Sequence, residues 1–237
     1  FKNAPECPTP PDRTHGYVWP LGHLEIYTSK PDGSDLRALT ANGAYNAEST
    51  VSPDGSRIIF TSTKDGDIDL YTMKVDGSDV HRLTNRMGYD GGAFFSPDGA
   101  HIVWRAAYPM NAADTADYLS LLHQRLVRPA KVEAWIADAD GSHAHQITHL
   151  GGANFAPYFH PDGKRVIFAS NYESPKSGAF DLFLVNIDGT GLEKITTNPE
   201  FDAFPMFSPD GRKLVWASNR HGHENGETDL FVADWVE

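Results

Sequence analysis

The sequence predicts an all-β fold, a β-propeller, on three observations. The tetrapeptide Ser52-Pro53-Asp54-Gly55 returns as Ser96-Pro97-Asp98-Gly99, His160-Pro161-Asp162-Gly163 and Ser208-Pro209-Asp210-Gly211, with prolines 44, 64 and 48 residues apart. An Asp-Gly-Ser/Thr turn beginning at Asp32, Asp76, Asp140 and Asp188 keeps the same three spacings. Between these markers lie short β-type runs. A repeat of about 44 residues with four short antiparallel strands buries its faces only against neighbouring copies, which describes a propeller blade.

Each element has a local cause. Pro presets φ at the second turn position, Asp bonds back to the backbone, and Gly accepts the positive φ that closes a hairpin. With the strands of a blade named A to D, the tetrapeptide joins A to B and the Asp-Gly turn joins C to D. Residues 57–62, 101–106, 165–170 and 213–218 form one aligned family of β runs, the B strands. Residues 24–28, 68–72, 132–136, 180–184 and 228–232 form a second, the C strands, in which polar and apolar positions alternate as a half-buried strand requires. In chain order this gives a C–D pair over 24–40, whole blades over 46–84, 90–149 and 154–197, and strands A, B and C over 202–236. The count is seventeen strands, about four and a quarter blades of one domain.

Six blades would need seven further strands. Phe1 is not an initiator Met and the last blade reaches no D strand, so the missing strands are expected upstream of Phe1. The 64-residue repeat carries an insertion over 109–129. Its residues 111–126 are rich in helix formers, with Asn111 placed as a cap and Leu119, Leu122 and Leu126 as an apolar face. A short helix is expected there, either a lid on the propeller rim or a partner-docking element.

Composition narrows the partners. Twenty Lys and Arg against 32 Asp and Glu leave a net charge of −12 with no basic block, which argues against nucleic acid. No apolar run approaches the roughly 18 residues of a membrane helix. A single cysteine, Cys7, excludes an internal disulfide framework and a cysteine-based zinc site.

The repeat of Ser-Pro-Asp-Gly, β run, Ser, Asp-Leu-Tyr and Asp-Gly-Ser, closing at Arg82-Leu83-Thr84, resembles the TolB-type propeller repeat of bacterial envelope proteins over nearly the whole chain. Residues 12–33 look like an interior stretch of a stand-alone six-bladed member. The resemblance implies a periplasmic or extracellular protein- or peptide-binding module without a cofactor. It is specific for fold and weak for function, because such blades also serve prolyl-oligopeptidase-like peptidases as regulatory domains. The α/β domain that TolB carries ahead of its propeller has no counterpart in these residues, so a role in the Tol-Pal system does not transfer. In an oxidising compartment Cys7 is expected to pair with a cysteine in the upstream portion.

Catalytic signals are sparse. There is no Gly-x-Ser-x-Gly elbow, phosphate loop or His-Glu-x-x-His. His143, His145 and His149 fall on or beside an outer D strand and read as solvated surface. His221 and His223 read likewise, and Asp65, Asp67 and Asp69 as a charged turn, because a calcium loop lacks its glutamate here. One column stands out. Asn46, Asp90, Asn154 and Asp202 each precede the tetrapeptide by six residues, at the start of strand A, which lines a propeller's channel. They are expected either to converge at one channel mouth, with Glu48 one pleat deeper, or to cap their own turns. Arg105 replaces Thr61, Ala169 and Ala217 in its column and would be their counter-ion or a ligand clamp. A channel-bound cation such as calcium, or a lyase with a channel metal, is the alternative to a non-catalytic binding site.

Overall fold

The computed structural model describes residues 16–129, 131–222, 224 and 227–236. Cys7 and His223 lie outside them. A short strand β1 (Trp19–Pro20) precedes the C–D pair β2 (Tyr27–Thr28) and β3 (Arg37–Ala38). Blade one is β4 (Asn46–Val51), β5 (Arg57–Ser62), β6 (Asp69–Lys74) and β7 (His81–Arg82). Blade two opens with β8 (Tyr89–Phe95) and β9 (His101–Ala107). It continues through the helix α1 (Ala112–His123) and β10 (Leu126–Val127) to β11 (Glu133–Asp138) and β12 (His145–Gln146). Blade three is β13 (Asn154–Phe159), β14 (Arg165–Ser170), β15 (Asp181–Asn186) and β16 (Glu193–Lys194), and the last sheet is β17 (Asp202–Phe207), β18 (Lys213–Ser218) and β19 (Asp229–Asp234). All seventeen expected strands are present as antiparallel meanders. β1 and β10 are additional and pair with each other, Trp19 opposite Val127.

The turns form for the reasons the sequence supplies. Gly55, Gly99, Gly163 and Gly211 sit at φ 68–72°. Asp54 Oδ1 accepts from Ser52 Oγ (2.6 Å) and from the Ser56 amide (3.0 Å), which holds the tetrapeptide hairpin rigid. The outer strands are two residues long because a threonine ends each of them. Thr40, Thr84, Thr148 and Thr196 accept the amides of Ile26, Leu70, Ala134 and Leu182 through Oγ1 at 2.8–2.9 Å, substituting a hydroxyl for the next ladder carbonyl.

The cores lie between sheets. Ile59 and Leu70 of blade one meet Ile102 and Trp104 of blade two. Val103 and Ile136 meet Phe159 and Phe168, and Ile167 and Leu184 meet Phe207 and Trp216. Each fully buried side chain of this kind contributes about 1.5–3 kcal/mol, so the sheets stabilise one another and none is self-sufficient. The innermost strands β4, β8, β13 and β17 touch in succession. The Asp-Gly turn adds a second joint: a Cβ on Gly141 would lie 2.5 Å from the Leu83 carbonyl oxygen of the preceding blade, whereas Gly33 has open space around it. Both sit at positive φ, 85° and 80°. Gly141→Ala is therefore expected to lower the urea midpoint by well over the effect of Gly33→Ala, whose cost is the left-handed backbone alone, about 1 kcal/mol.

The insertion differs from expectation in one respect. Asn111 caps α1 as expected, accepting from the amides of Ala113 (2.9 Å) and Asp114 (3.0 Å). The helix ends at His123, so Leu126 belongs to β10, and Leu121 is the buried leucine while Leu119 is exposed. Tyr118 and Leu122 flank Leu121 on the packed face. Tyr118 OH donates to Asp67 and to the Gly88 carbonyl oxygen (2.6 Å), tying the helix to the end of blade one.

Candidate functional site

The four Asx residues are almost wholly buried. Each amide donates to the carbonyl oxygen 22 residues upstream, on or beside the C strand of the preceding blade: Asn46 to Leu24 (3.0 Å), Asp90 to Ile68 (3.0 Å), Asn154 to Val132 (3.0 Å) and Asp202 to Phe180 (2.8 Å). Their side chains stay in the same gap. Asn46 Nδ2 donates to the Leu24 carbonyl oxygen (3.1 Å) and Glu25 Oε2 (3.1 Å), and its Oδ1 accepts from Ser62 Oγ (2.7 Å). Asn154 repeats this with Val132 (3.0 Å), Glu133 (3.0 Å) and Ser170 (2.5 Å). Asp202 is bound by Arg220 at 2.6 Å. The expected convergence on one ring is thus replaced by four separate seams, because at the start of strand A the pleat aims the side chain between sheets. They also bond the inter-blade turns, as the capping expectation has it: Asn154 Nδ2 donates to the Gly151 carbonyl oxygen (3.1 Å), Asn46 Nδ2 to Asn42 Oδ1 (2.8 Å), and Asp202 Oδ1 accepts from Asn198 Nδ2 (3.4 Å). Among the described residues no group of three or more His, Cys, Asp and Glu is placed to hold a metal.

Asp90 departs from its column. Its blade supplies Ala106 where the others supply serine, and its Oδ1 instead accepts from Trp104 Nε1 (2.7 Å) and Tyr108 OH (2.6 Å). Among the described residues Oδ2 is buried with no hydrogen-bond partner. Burial pushes the Asp90 carboxyl up to about 7, against the pull of those two donors, and the nearby Asp69 pushes it further. Burial also raises Asp69, to about 6, although Arg82 opposes it at 2.6 Å.

Two residues past each Asx the strand bulges. The ladder with strand B slips between Ala47 and Thr50, Gly91 and Phe94, Phe155 and Tyr158, and Ala203 and Met206. At the first bulged position Glu48, Gly92, Ala156 and Phe204 all adopt left-handed backbone, φ 52–63°. Three of these are residues that pay for that conformation, a strain held by the surrounding sheet and often found where a strand re-aims a side chain. Alternation alone places Glu48 one pleat deeper; the bulge turns it toward blade two.

There it meets Arg105. The guanidinium forms an ion pair with Glu48 Oε1, and Thr61 Oγ1 donates to Glu48 Oε2 (3.1 Å). Arg105 lies 5.5 Å from the ring centroids of both Trp19 and Tyr89. Glycine is required opposite, since a Cβ on Gly92 would fall 1.9 Å from Arg105 Nη1. Burial and then Glu48 push the Tyr45 hydroxyl up to about 12. The predicted set therefore divides: Glu48 and Arg105 come together, and the four Asx do not join them. Arg105 has its counter-ion in Glu48 rather than in the Asx column.

A family model, TolB beta propeller domain, matches residues 18–116 and 126–226. The chain belongs to the TolB β-propeller family. The matched stretches omit most of α1, the segment this TolB-type propeller adds within blade two. Among solved structures it is similar to TolB from Acinetobacter baumannii, with a TM-score of 0.69 and 18% identity over 91% of this chain and 47% of that one. It is similar also to a putative TolB from Agrobacterium tumefaciens, with a TM-score of 0.63 and 21% identity over 89% of this chain and 76% of that one. A puromycin-hydrolyzing peptidase from Mycobacterium tuberculosis shares the fold over 94% of this chain and 38% of that one, with a TM-score of 0.60 and 15% identity. The chain thus spans about half the length of the Acinetobacter protein. No curated protein sequence matches it.

In this TolB-type propeller β1, β10 and α1 gather at the end where the A strands start. Trp19 packs edge-on to Tyr89, at 6.5 Å and 72°, and Leu21 joins Ile68, Tyr89, Val127 and Val132 in one cluster. Arg105 is buried beneath Trp19, and its partner Glu48 is partly exposed. Sequence reasoning missed Trp19, Tyr89 and the bulge. His143 and His145 are exposed as expected, His143 against Asp138 at 2.6 Å; Asp65 pairs with Lys64, whereas Asp69, expected in a charged turn, is buried at the start of β6 and paired with Arg82. Among the described residues no helix is long and apolar enough to cross a membrane.

Proposed function

We propose that this chain is the larger part of a six-bladed, non-catalytic binding module of the bacterial envelope, and that its innermost strands present the face that a protein or peptide partner engages. The observation that carries this reading is the repeated bulge. It places four unlike residues, Glu48, Gly92, Ala156 and Phe204, at one equivalent position of four successive blades. At that position Phe204 supplies an aromatic ring and Glu48, whose side chain is 27% exposed, a charge. Mixed apolar and charged surface on rigid strands suits polypeptide recognition better than chemistry, which would need a positioned nucleophile or general base. A regulatory propeller of a peptidase would use the same face, and a hydrolase domain in the parent gene distinguishes it.

A photo-cross-linking residue at Phe204 of the full-length protein in its native host is expected to trap a discrete partner that the same residue at Glu193, on the outer strand, does not. Equal trapping at both positions, or trapping only at Glu193, would overturn the assignment of the binding face.

A further inference from the structure

We infer that the cleft between α1 and blade two binds a small organic carboxylate with a flat apolar body. The cavity encloses about 660 Å³, within the range of small-molecule sites. Its floor is apolar, made by Leu121 and Val127. Its distinguishing group is Arg86. The guanidinium carbon lies 4.1 Å from the Tyr108 ring centroid and 5.8 Å from that of Trp135. Tyr108 is itself fixed, edge-on to Trp135 at 5.1 Å and 85° and bonded through its hydroxyl to Asp90.

Stacking of this kind holds an arginine flat while leaving its N–H edge unspent. Among the described residues Arg86 makes no ion pair or hydrogen bond, nor does Lys131 on the same wall make an ion pair. The acidic residues of the cleft are committed elsewhere. Asp114 accepts from Asn111 Nδ2 (2.9 Å) at the helix cap, Asp117 faces Arg128 at 3.3 Å, and Glu133 accepts from Thr148 Oγ1 (2.6 Å) and the Gly151 amide (2.8 Å). Gln146 Nε2 donates to His149 Nδ1 (3.0 Å), which leaves the other ring nitrogen of His149 as a further N–H donor. The formal charges lining the cleft balance, Arg86, Arg128 and Lys131 against Asp114, Asp117 and Glu133, so its preference for an anion rests on the open N–H edge of Arg86 with Lys131 beside it. One guanidinium fork and one ammonium suit a monocarboxylate, and the Trp135 and Tyr108 rings with the leucine and valine floor suit a planar body.

The test uses the full-length protein, 2-naphthoate as the probe and the uncharged isostere 2-naphthamide as its control, followed by tryptophan fluorescence and calorimetry. Naphthoate is expected to bind saturably at one site, with naphthamide about tenfold weaker. Arg86→Ala should weaken naphthoate about tenfold, with Arg86→Lys between them because a point charge replaces the fork. Absence of saturable naphthoate binding, equal affinity for the amide, or an unchanged affinity in Arg86→Ala would each overturn the proposal. The acid–amide contrast on the unmutated protein stands even if a variant folds poorly. Phe204 lies two blades away, so failure here leaves the channel-face reading standing, and the reverse.

Discussion

Glu48→Ala is expected to lower the free energy of unfolding by about 3 kcal/mol, the low end of what removing one partner of a buried ion pair costs. The reason is Arg105, whose side chain is 9% exposed and whose guanidinium cannot shed its proton. Among the described residues its Nε has no hydrogen-bond partner, and without Glu48 its charge would be left to the Tyr89 hydroxyl and the faces of Trp19 and Tyr89. Glu48 is 27% exposed, so solvent reaching the vacated space holds the loss at the low end. The double variant Glu48→Ala, Arg105→Met removes the stranded charge and should recover much of the loss. Urea unfolding of the two single variants and the double variant closes the cycle. A Glu48→Ala midpoint equal to wild type, or a double variant no better than Glu48→Ala, would show that Arg105 is not buried as described.

Asp90→Asn is expected to stabilise the protein at pH 8 and to flatten its stability between pH 4 and 8. Burial raises the folded-state carboxyl from 3.8 to about 7, so between those values the folded chain binds a proton that the unfolded chain has released. Stability from this group is therefore highest below about pH 4, falls as pH rises through the window, and is level above about 7. Three pH units correspond to about 4 kcal/mol at most. Asparagine carries no charge to bury, and the slot accepts it: Asn46 and Asn154 fill the equivalent place and donate to the upstream carbonyl and acid. Asp69, raised to about 6 by burial, leaves a smaller dependence of the same sign in the variant. Thermal unfolding across that pH range tests this, and parallel curves for wild type and Asp90→Asn would refute it.

The strands and turns were legible because their causes are local. Ser-Pro-Asp-Gly closes a hairpin through bonds within five residues, so four copies in phase locate the A and B strands without any knowledge of the core. β1 and β10 were invisible for the opposite reason: Trp19 pairs with Val127, and a two-residue strand has no periodicity to detect. The helix was legible from Asn111 and its formers, but its buried face was misassigned because the chain leaves the helix before Leu126, through Arg125 at φ 56°. A signal for the seams was present and unused. Glu25, Asp69, Glu133 and Asp181 each precede an Asx by 21 residues, the spacing that sets a C-strand acid against the next blade's A strand.

The sequence by itself determined the number, order and turn chemistry of the strands in this TolB-type propeller, since those follow from residues in contact along the chain. Which polar residues join blades and which face the channel was decided only by the tertiary structure. An Asx at the start of strand A and a residue two positions on should share a face by alternation, yet the bulge inserts one residue and turns the second away from the first. Of the residues at that bulge only Gly92 favours left-handed backbone; Glu48, Ala156 and Phe204 are held there by the sheets around them. Glu48 then meets Arg105, 57 residues along the chain, because packing of blade one on blade two brings the two charges into one partly buried space.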